Sequence, residues 1–277
     1  MKPLSTLSHV IQPFHVMELV KRAAGITRSG KDVLHLSIGE PDFPIPAGVA
    51  QAFHQAIAAS HTRYTGALGL WPLREAIAQQ YLDAFGVLVP AEQIVVTSGS
   101  SAALQYACLA LVEDGDEVLM PDPSYPCNRQ FVNAAEGRAV LLPTTAESRF
   151  QLSPAQVRAH WGPKTRGVLL ASPSNPTGTS ITPQALAEIH GEVRARGGIT
   201  LLDEIYLGLS YDEAFGQSGL ALGEDVVSVN SFSKYFCMTG WRLGWLVLPE
   251  PLVPVLERLA QNLFICPSTV AQHAALA

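Results

Sequence analysis

The sequence is short of charge, of cysteine and of long apolar runs. Only 15% of its 277 residues are charged, and 24 acids against 18 bases leave a net charge of −6. No dense Lys/Arg tract occurs, so there is no electrostatic footprint for nucleic acid. The four cysteines, Cys108, Cys127, Cys237 and Cys266, lie far apart and form no C-x-x-C pair. That excludes a zinc ribbon and a disulfide framework, and fits a reducing compartment. The eight histidines show no H-E-x-x-H spacing. They fit core or surface positions better than metal ligands, and no metal site is expected. No apolar run reaches the roughly 18 residues of a membrane span. The opening "MKPLSTLSHVIQPFHV" lacks the apolar core of a signal peptide. The expectation is a cytoplasmic protein with neither nucleic acid nor membrane as partner. Internal repeats and low-complexity tracts are also absent.

What is present is apolar material: 48% of the residues are hydrophobic, enough for a sizeable core. It comes in short runs. "QIVVTSG" (93–99), "DEVLMPDP" (116–123), "RAVLLPT" (138–144), "RGVLLASP" (166–173), "GITLLDE" (198–204), "DVVSVNS" (225–231) and "GWLVLPE" (244–250) read as strands. Helical spacing fills several gaps, as in "SAALQYACLALVEDG" (101–115) and in "TPQALAEIHGEVRARG" (182–197), where Leu186, Ile189 and Val193 share a face. Two more helices, at 15–25 and 71–86, precede this core; the second has Pro72 in its first turn and Gly86 as its stop. Strands without polar alternation, separated by helices, predict an α/β fold with a mostly parallel sheet sandwiched by helices. The loop "LSIGEPDFPIP" (36–46) divides an N-terminal arm, residues 1–44, from a large domain at 45–277.

Open α/β sheets bind ligands outside the carboxyl ends of their strands, so the polar residues there matter most. Gly99 breaks the first strand and opens a helix through Ser100 and Ser101. A helix start offers free N–H groups to a phosphate, although serine there is also an ordinary cap. Asn175 sits in the turn "SNPTG", a common turn sequence in itself. Asp203 ends a strongly apolar strand, with Tyr206 three residues on. A carboxylate there is a helix cap or the partner of a cation, because an unpaired buried charge is expensive.

Lys234 lies in "SFSKYFCMTGWRLGW" (231–245), between serines and aromatics, with Arg242 eight residues later. It is either a surface charge or a reagent. An ammonium in a partly apolar pocket loses its proton more readily, and the neutral amine can attack an aldehyde to form a Schiff base. Pyridoxal phosphate supplies an aldehyde, a phosphate and a pyridine nitrogen. Lys234, the Gly99–Ser101 turn with Arg242, and Asp203 match those three needs.

At this point the chain resembles the class I/II aminotransferases, of the fold type I pyridoxal-phosphate architecture. The matching pieces are "SIGEPDFP", "RYTGALGLWPLREAIA", "VTSGSSAAL", "PDPSYP", "SNPTG", "LLDEIY" and "SFSKYFCMTGWRLGW", in the family's order from about residue 30 onward. The resemblance implies that Lys234 carries pyridoxal 5′-phosphate as an internal aldimine and shuttles a proton. It implies that Asp203 keeps the ring nitrogen protonated, and that Asn175 and Tyr206 bond the ring hydroxyl oxygen. Tyr125 would stack on the ring. The backbone at Gly99 and Ser100, with Ser101, Ser231 and Arg242, would hold the phosphate, with Ser233 as a weaker neighbour. Gly39 would let the backbone approach the substrate carboxylate. Tyr64 would reach the phosphate site of a second subunit, which makes a homodimer the expected assembly.

Family members run on into a small domain carrying an arginine that clamps the substrate carboxylate. This sequence ends at "CPSTVAQHAALA", and no residue in it takes that role by motif. Expectations therefore divide. The first is an aminotransferase moving the amino group of an L-amino acid to a 2-oxo acid. The alternatives are a pyridoxal-phosphate carbon–sulfur β-lyase, and a truncated non-catalytic cofactor-binding protein.

Overall fold

The computed structural model describes residues 2–5 and 7–277; Met1 and Thr6, both within the expected N-terminal arm, lie outside the described residues. Seven strands form one sheet: β1 (Ile94–Thr97), β2 (Glu117–Asp122), β3 (Arg138–Pro143), β4 (Thr165–Ala171), β5 (Ile199–Asp203), β6 (Val226–Ser231) and β7 (Gly244–Val247). Their order is β1-β7-β6-β5-β4-β2-β3. β7 runs antiparallel to both of its neighbours, and every other pairing is parallel. All seven expected strands are present, and the sheet is mostly parallel as the apolar runs predict.

The described helices are α1 (Leu7–Val10), α2 (His15–Arg28), α3 (Ala47–Ala58), α4 (Trp71–Phe85), α5 (Ser100–Leu111), α6 (Asn128–Ala134), α7 (Pro154–His160), α8 (Pro183–Arg194), α9 (Val253–Leu263) and α10 (Thr269–Leu276). α4 ends as its sequence predicts, with Gly86 in the left-handed region at φ 66°. α5 is shorter than its apolar run suggests. It stops at Leu111, and Asp116 instead accepts from the Glu113 N–H at 3.0 Å to close the next turn. α1, α3, α6, α7 and α9 are additional to the sequence reading.

Helices cover both faces because successive strand residues point opposite ways. Val95, Leu169, Leu201, Val227, Val229 and Leu246 pack with α5 and α9 through Leu104, Cys108, Leu256 and Ala260. On the other face Ile94, Val96, Trp245 and Val247 meet α4 and α10 through Leu73, Ile77, Tyr81 and Ala274. Further along, Val168, Leu170 and Leu202 meet α7 and α8 through Val157, Leu186, Ile189 and Val193. Among the described residues no helix is long and apolar enough to cross a membrane.

The register sets the site. Thr97 and Ser231 both pair with Gly244, so three strands bring these residues into one row. On the next strands Asp203 pairs with Val229 on one side and Ala171 on the other. The carboxyl ends of β1, β4, β5 and β6 therefore open on one edge.

Candidate active site

α5 starts directly above β7, and this close approach needs glycine. A Cβ on Gly244 would lie 2.8 Å from Gly99 C, Ser100 N and Asn230 O. Gly99 itself has φ 83°, a conformation that side chains resist, and a Cβ there would lie 2.5 Å from Arg242 Nη2. The guanidinium thus rests on the bare backbone where α5 begins. Arg242 adopts φ 50° and donates through Nη1 to Thr239 O at 2.9 Å and Ser233 Oγ at 3.4 Å. Ser231 Oγ accepts the Ser233 N–H at 3.0 Å, donates to Leu243 O at 2.9 Å, and lies 2.8 Å from Ser233 Oγ. The structure so brings Gly99, Ser100, Ser101, Ser231, Ser233 and Arg242 around one helix start. Thr97 Oγ1 joins them, donating to Gly99 O at 3.0 Å.

Asp203 is 5% exposed and, among the described residues, accepts only the Ile205 N–H, at 3.1 Å on Oδ1. Burial raises its carboxyl from 3.8 to about 6, against the pull of that hydrogen bond, and the neighbouring Glu204 adds to the rise. Asn175 Nδ2 donates to the Tyr206 hydroxyl at 3.3 Å, so the turn after β4 meets the turn after β5. The Asn175 turn is closed by Gly178 N to Ser174 O at 2.8 Å and Ser174 N to Thr179 O at 2.9 Å. Burial holds the Tyr206 phenol protonated. Tyr125 is likewise pushed up by burial, then by the Cys127 thiol, Tyr206 and Asp203, which places it in the same cluster. The Phe14 ring meets it edge-on at 5.9 Å.

Lys234 is half-buried. Its Nζ donates to Gly39 O at 2.8 Å, joining the arm to the sheet edge. Its pKa is lowered by desolvation, with Glu40 opposing and Arg242 assisting. Tyr64 stands apart: it is 79% exposed and lines a separate cavity of about 360 Å³ with Arg63, Trp71 and His273.

One residue escaped the sequence reading. Glu204 is 1% exposed, and its carboxylate accepts from Ser218 Oγ at 2.9 Å, Gly219 N at 2.7 Å and Ser228 Oγ at 2.7 Å. One buried acid therefore ties the start of the 205–218 excursion to its end and to β6. The signal was the acidic doublet closing an apolar strand.

The charges at this edge are unpaired among the described residues. Among the described residues no carboxylate lies within ion-pair distance of Lys234 or Arg242, and no cation within it of Asp203. A buried acid without a cation, two cations without an acid, and an open helix start fit a ligand bearing a cationic ring nitrogen, an aldehyde and a phosphate. Pyridoxal phosphate has that donor set.

Comparisons with known proteins bear on the family and the fold. A family model described as aminotransferase class I and II matches residues 31–277. A valine–pyruvate aminotransferase of Mycobacterium tuberculosis is 40% identical over 268 residues, spanning 96% of this chain and 69% of that protein. A (5-formylfuran-3-yl)methyl phosphate transaminase of Methanocaldococcus jannaschii is 34% identical, again over 96% of this chain and 69% of its own length. Among solved structures, an aminotransferase from M. tuberculosis superposes with TM-score 0.95 at 38% identity, covering all of this chain and 71% of that one. Aspartate aminotransferase from Thermus thermophilus with maleate gives TM-score 0.95 at 31% identity, over all of this chain and 72% of that one.

Proposed function

This chain belongs to the class I and II aminotransferase family, and on that premise we propose that it moves the amino group of an L-amino acid to a 2-oxo acid, with Lys234 at the reacting centre. Membership of the family implies pyridoxal 5′-phosphate as cofactor. The observation that carries the reading is the convergence at one sheet edge of Lys234, Asp203, the Asn175–Tyr206 pair and Arg242, none of them ion-paired within the described chain.

When bound, the cofactor supplies an aldehyde and an electron-withdrawing ring that takes up the negative charge developing on the amino acid's α-carbon. The chain's own residues do the rest. Arg242, Ser101, Ser231 and the N–H groups at the start of α5 would hold the phosphate, a fork of donors and a helix terminus acting together. Asp203, deprotonated, would hold a proton on the ring nitrogen. Asn175 and Tyr206 would donate to the ring hydroxyl oxygen. Lys234 would hold the cofactor through its amine and, when free, would take the proton from the amino acid's α-carbon. Its lowered pKa suits it to both tasks. Tyr125, backed by Phe14, would cover the ring and exclude water. The proposal extends to the arm at 1–44, to a homodimer in which Tyr64 serves the neighbouring site, and to Gly39 beside the substrate carboxylate.

Purified protein loaded with cofactor and given a panel of L-amino acids should release 2-oxo acids and aminate an added 2-oxo acid. Ammonia and pyruvate from cysteine conjugates, with no amino transfer, would replace this reading by the β-lyase. Cofactor binding with neither activity would leave a binding protein.

A further inference from the structure

Behind the Lys234 turn lies a cavity of about 380 Å³, bounded by the end of α4, the Leu207–Gly216 loop and the residues after Lys234. None of the candidate catalytic or cofactor residues lines it, yet Asn230, Tyr235 and Leu207 each adjoin one of them in sequence. Its volume is in the range of small-molecule sites. We propose that this cavity binds a small organic cation, an aromatic or methylated ammonium.

The lining chemistry makes the selection. Phe85, Tyr235 and Phe236 present aromatic surface to the cavity, and the buried rings of Tyr81 and Trp245 back its wall. They form connected pairs: Tyr81 with Phe85 at 5.9 Å, Tyr81 with Trp245 at 6.4 Å, and Tyr235 with Phe236 at 5.0 Å between ring centres. Trp245 Nε1 already donates to the Tyr81 hydroxyl at 3.1 Å, so the indole offers an occupant no free N–H. Aromatic faces attract cations. The charged residues of the lining are both acids, Asp212 and Glu213, and it contains no Lys, Arg or His. Behind the wall, buried Glu204 lies close enough for its charge to reinforce the effect of burial on the Tyr81 phenol. An anion meets two carboxylates and no base, whereas a cation meets three rings and the same acids.

Gly208 ties this site to the catalytic turn. A Cβ on it would come within 3.0 Å of the Tyr235 ring, so the loop after Tyr206 packs directly on the residue after Lys234. An occupant therefore touches the supports of both Tyr206 and Lys234.

The test uses the full chain, with and without cofactor, titrated by calorimetry with benzyltrimethylammonium. That probe carries no N–H and cannot condense with an aldehyde, so its binding is separate from amino transfer and holds or fails whatever the reaction proves to be. Saturable one-to-one binding is expected, with neutral benzyl alcohol weaker by about tenfold or more. The double substitution D212N/E213Q should weaken the cation by about tenfold and leave benzyl alcohol unaffected. Both residues are exposed, and asparagine keeps the hydrogen bond that Asp212 accepts from Ala214 N at 2.9 Å, so this variant should fold. A84F, which fills the cavity from an exposed face of α4, should abolish binding. No saturable heat, equal affinity for benzyl alcohol, or undiminished binding in either variant would overturn the proposal.

Discussion

Leu36 is 93% exposed and Phe43 73%, whereas the carboxylic acids Asp203 and Glu204 are 5% and 1% exposed. The arm ahead of residue 45 and the carboxyl edge of the sheet thus invert the usual partition of apolar and polar groups. α1 and α2 bury no residue, while β1, β6 and β7 are buried throughout. Stability resides in the sheet and its cores, chemistry at the sheet's carboxyl edge. The sheet and its three core clusters hold together without the arm's apolar side chains. That surplus is large enough to keep two buried acids at the strand ends, where each costs stability and one fits a ligand. The arm touches this edge where Lys234 Nζ donates to Gly39 O and where the Phe14 ring meets Tyr125.

The comparison can be broken most severely at Asp203. D203N should lower amino transfer on the order of 10³-fold, with the cofactor still attached, because an amide cannot hold a proton on the ring nitrogen. A loss under tenfold in steady-state assays would remove Asp203 from the chemistry. Next in size is Glu204. E204A leaves two hydroxyls and one N–H without their acceptor, and should cost about 3 kcal/mol or more in urea unfolding. E204Q, which keeps an acceptor, should cost less than half of that.

Asp203 also predicts a pH dependence. Its carboxyl is raised from 3.8 to about 6, so between those values the folded chain retains a proton that the unfolded chain has released. Stability of the cofactor-free protein should therefore fall as pH rises through this window, by about 3 kcal/mol at most. Burial pushes Glu204 the same way and adds a slope of the same sign. D203N should flatten the profile in part. A stability that rises from pH 4 to 6 in both proteins would contradict the burial argument. The smallest effect belongs to the arm: L36S should change unfolding stability by less than about 0.5 kcal/mol, and a larger loss would show that the arm packs after all.

Much of this was legible in the residues. The seven strands announced themselves as apolar runs, and Asp203, Asn175 and Lys234 were found by asking what ends or follows those runs. What stayed hidden depends on distant partners. Glu204 gains its meaning from Ser218, Gly219 and Ser228, which no local pattern links to it. Gly244 looks like any strand glycine until α5 is set against it. α6 and α7 are seven residues each, two turns of helix, too short for a period of 3.6 to stand out. Tyr64 remains apart from the other candidates, exposed and lining a separate cavity.

The central claim is that Lys234 is a reagent. The most direct measurement is reduction of cofactor-loaded protein with borohydride, followed by peptide mass spectrometry. The account predicts one pyridoxyl-phosphate adduct, on Lys234, absent from K234A. An adduct on another lysine, or none on protein that has bound the cofactor, would contradict it.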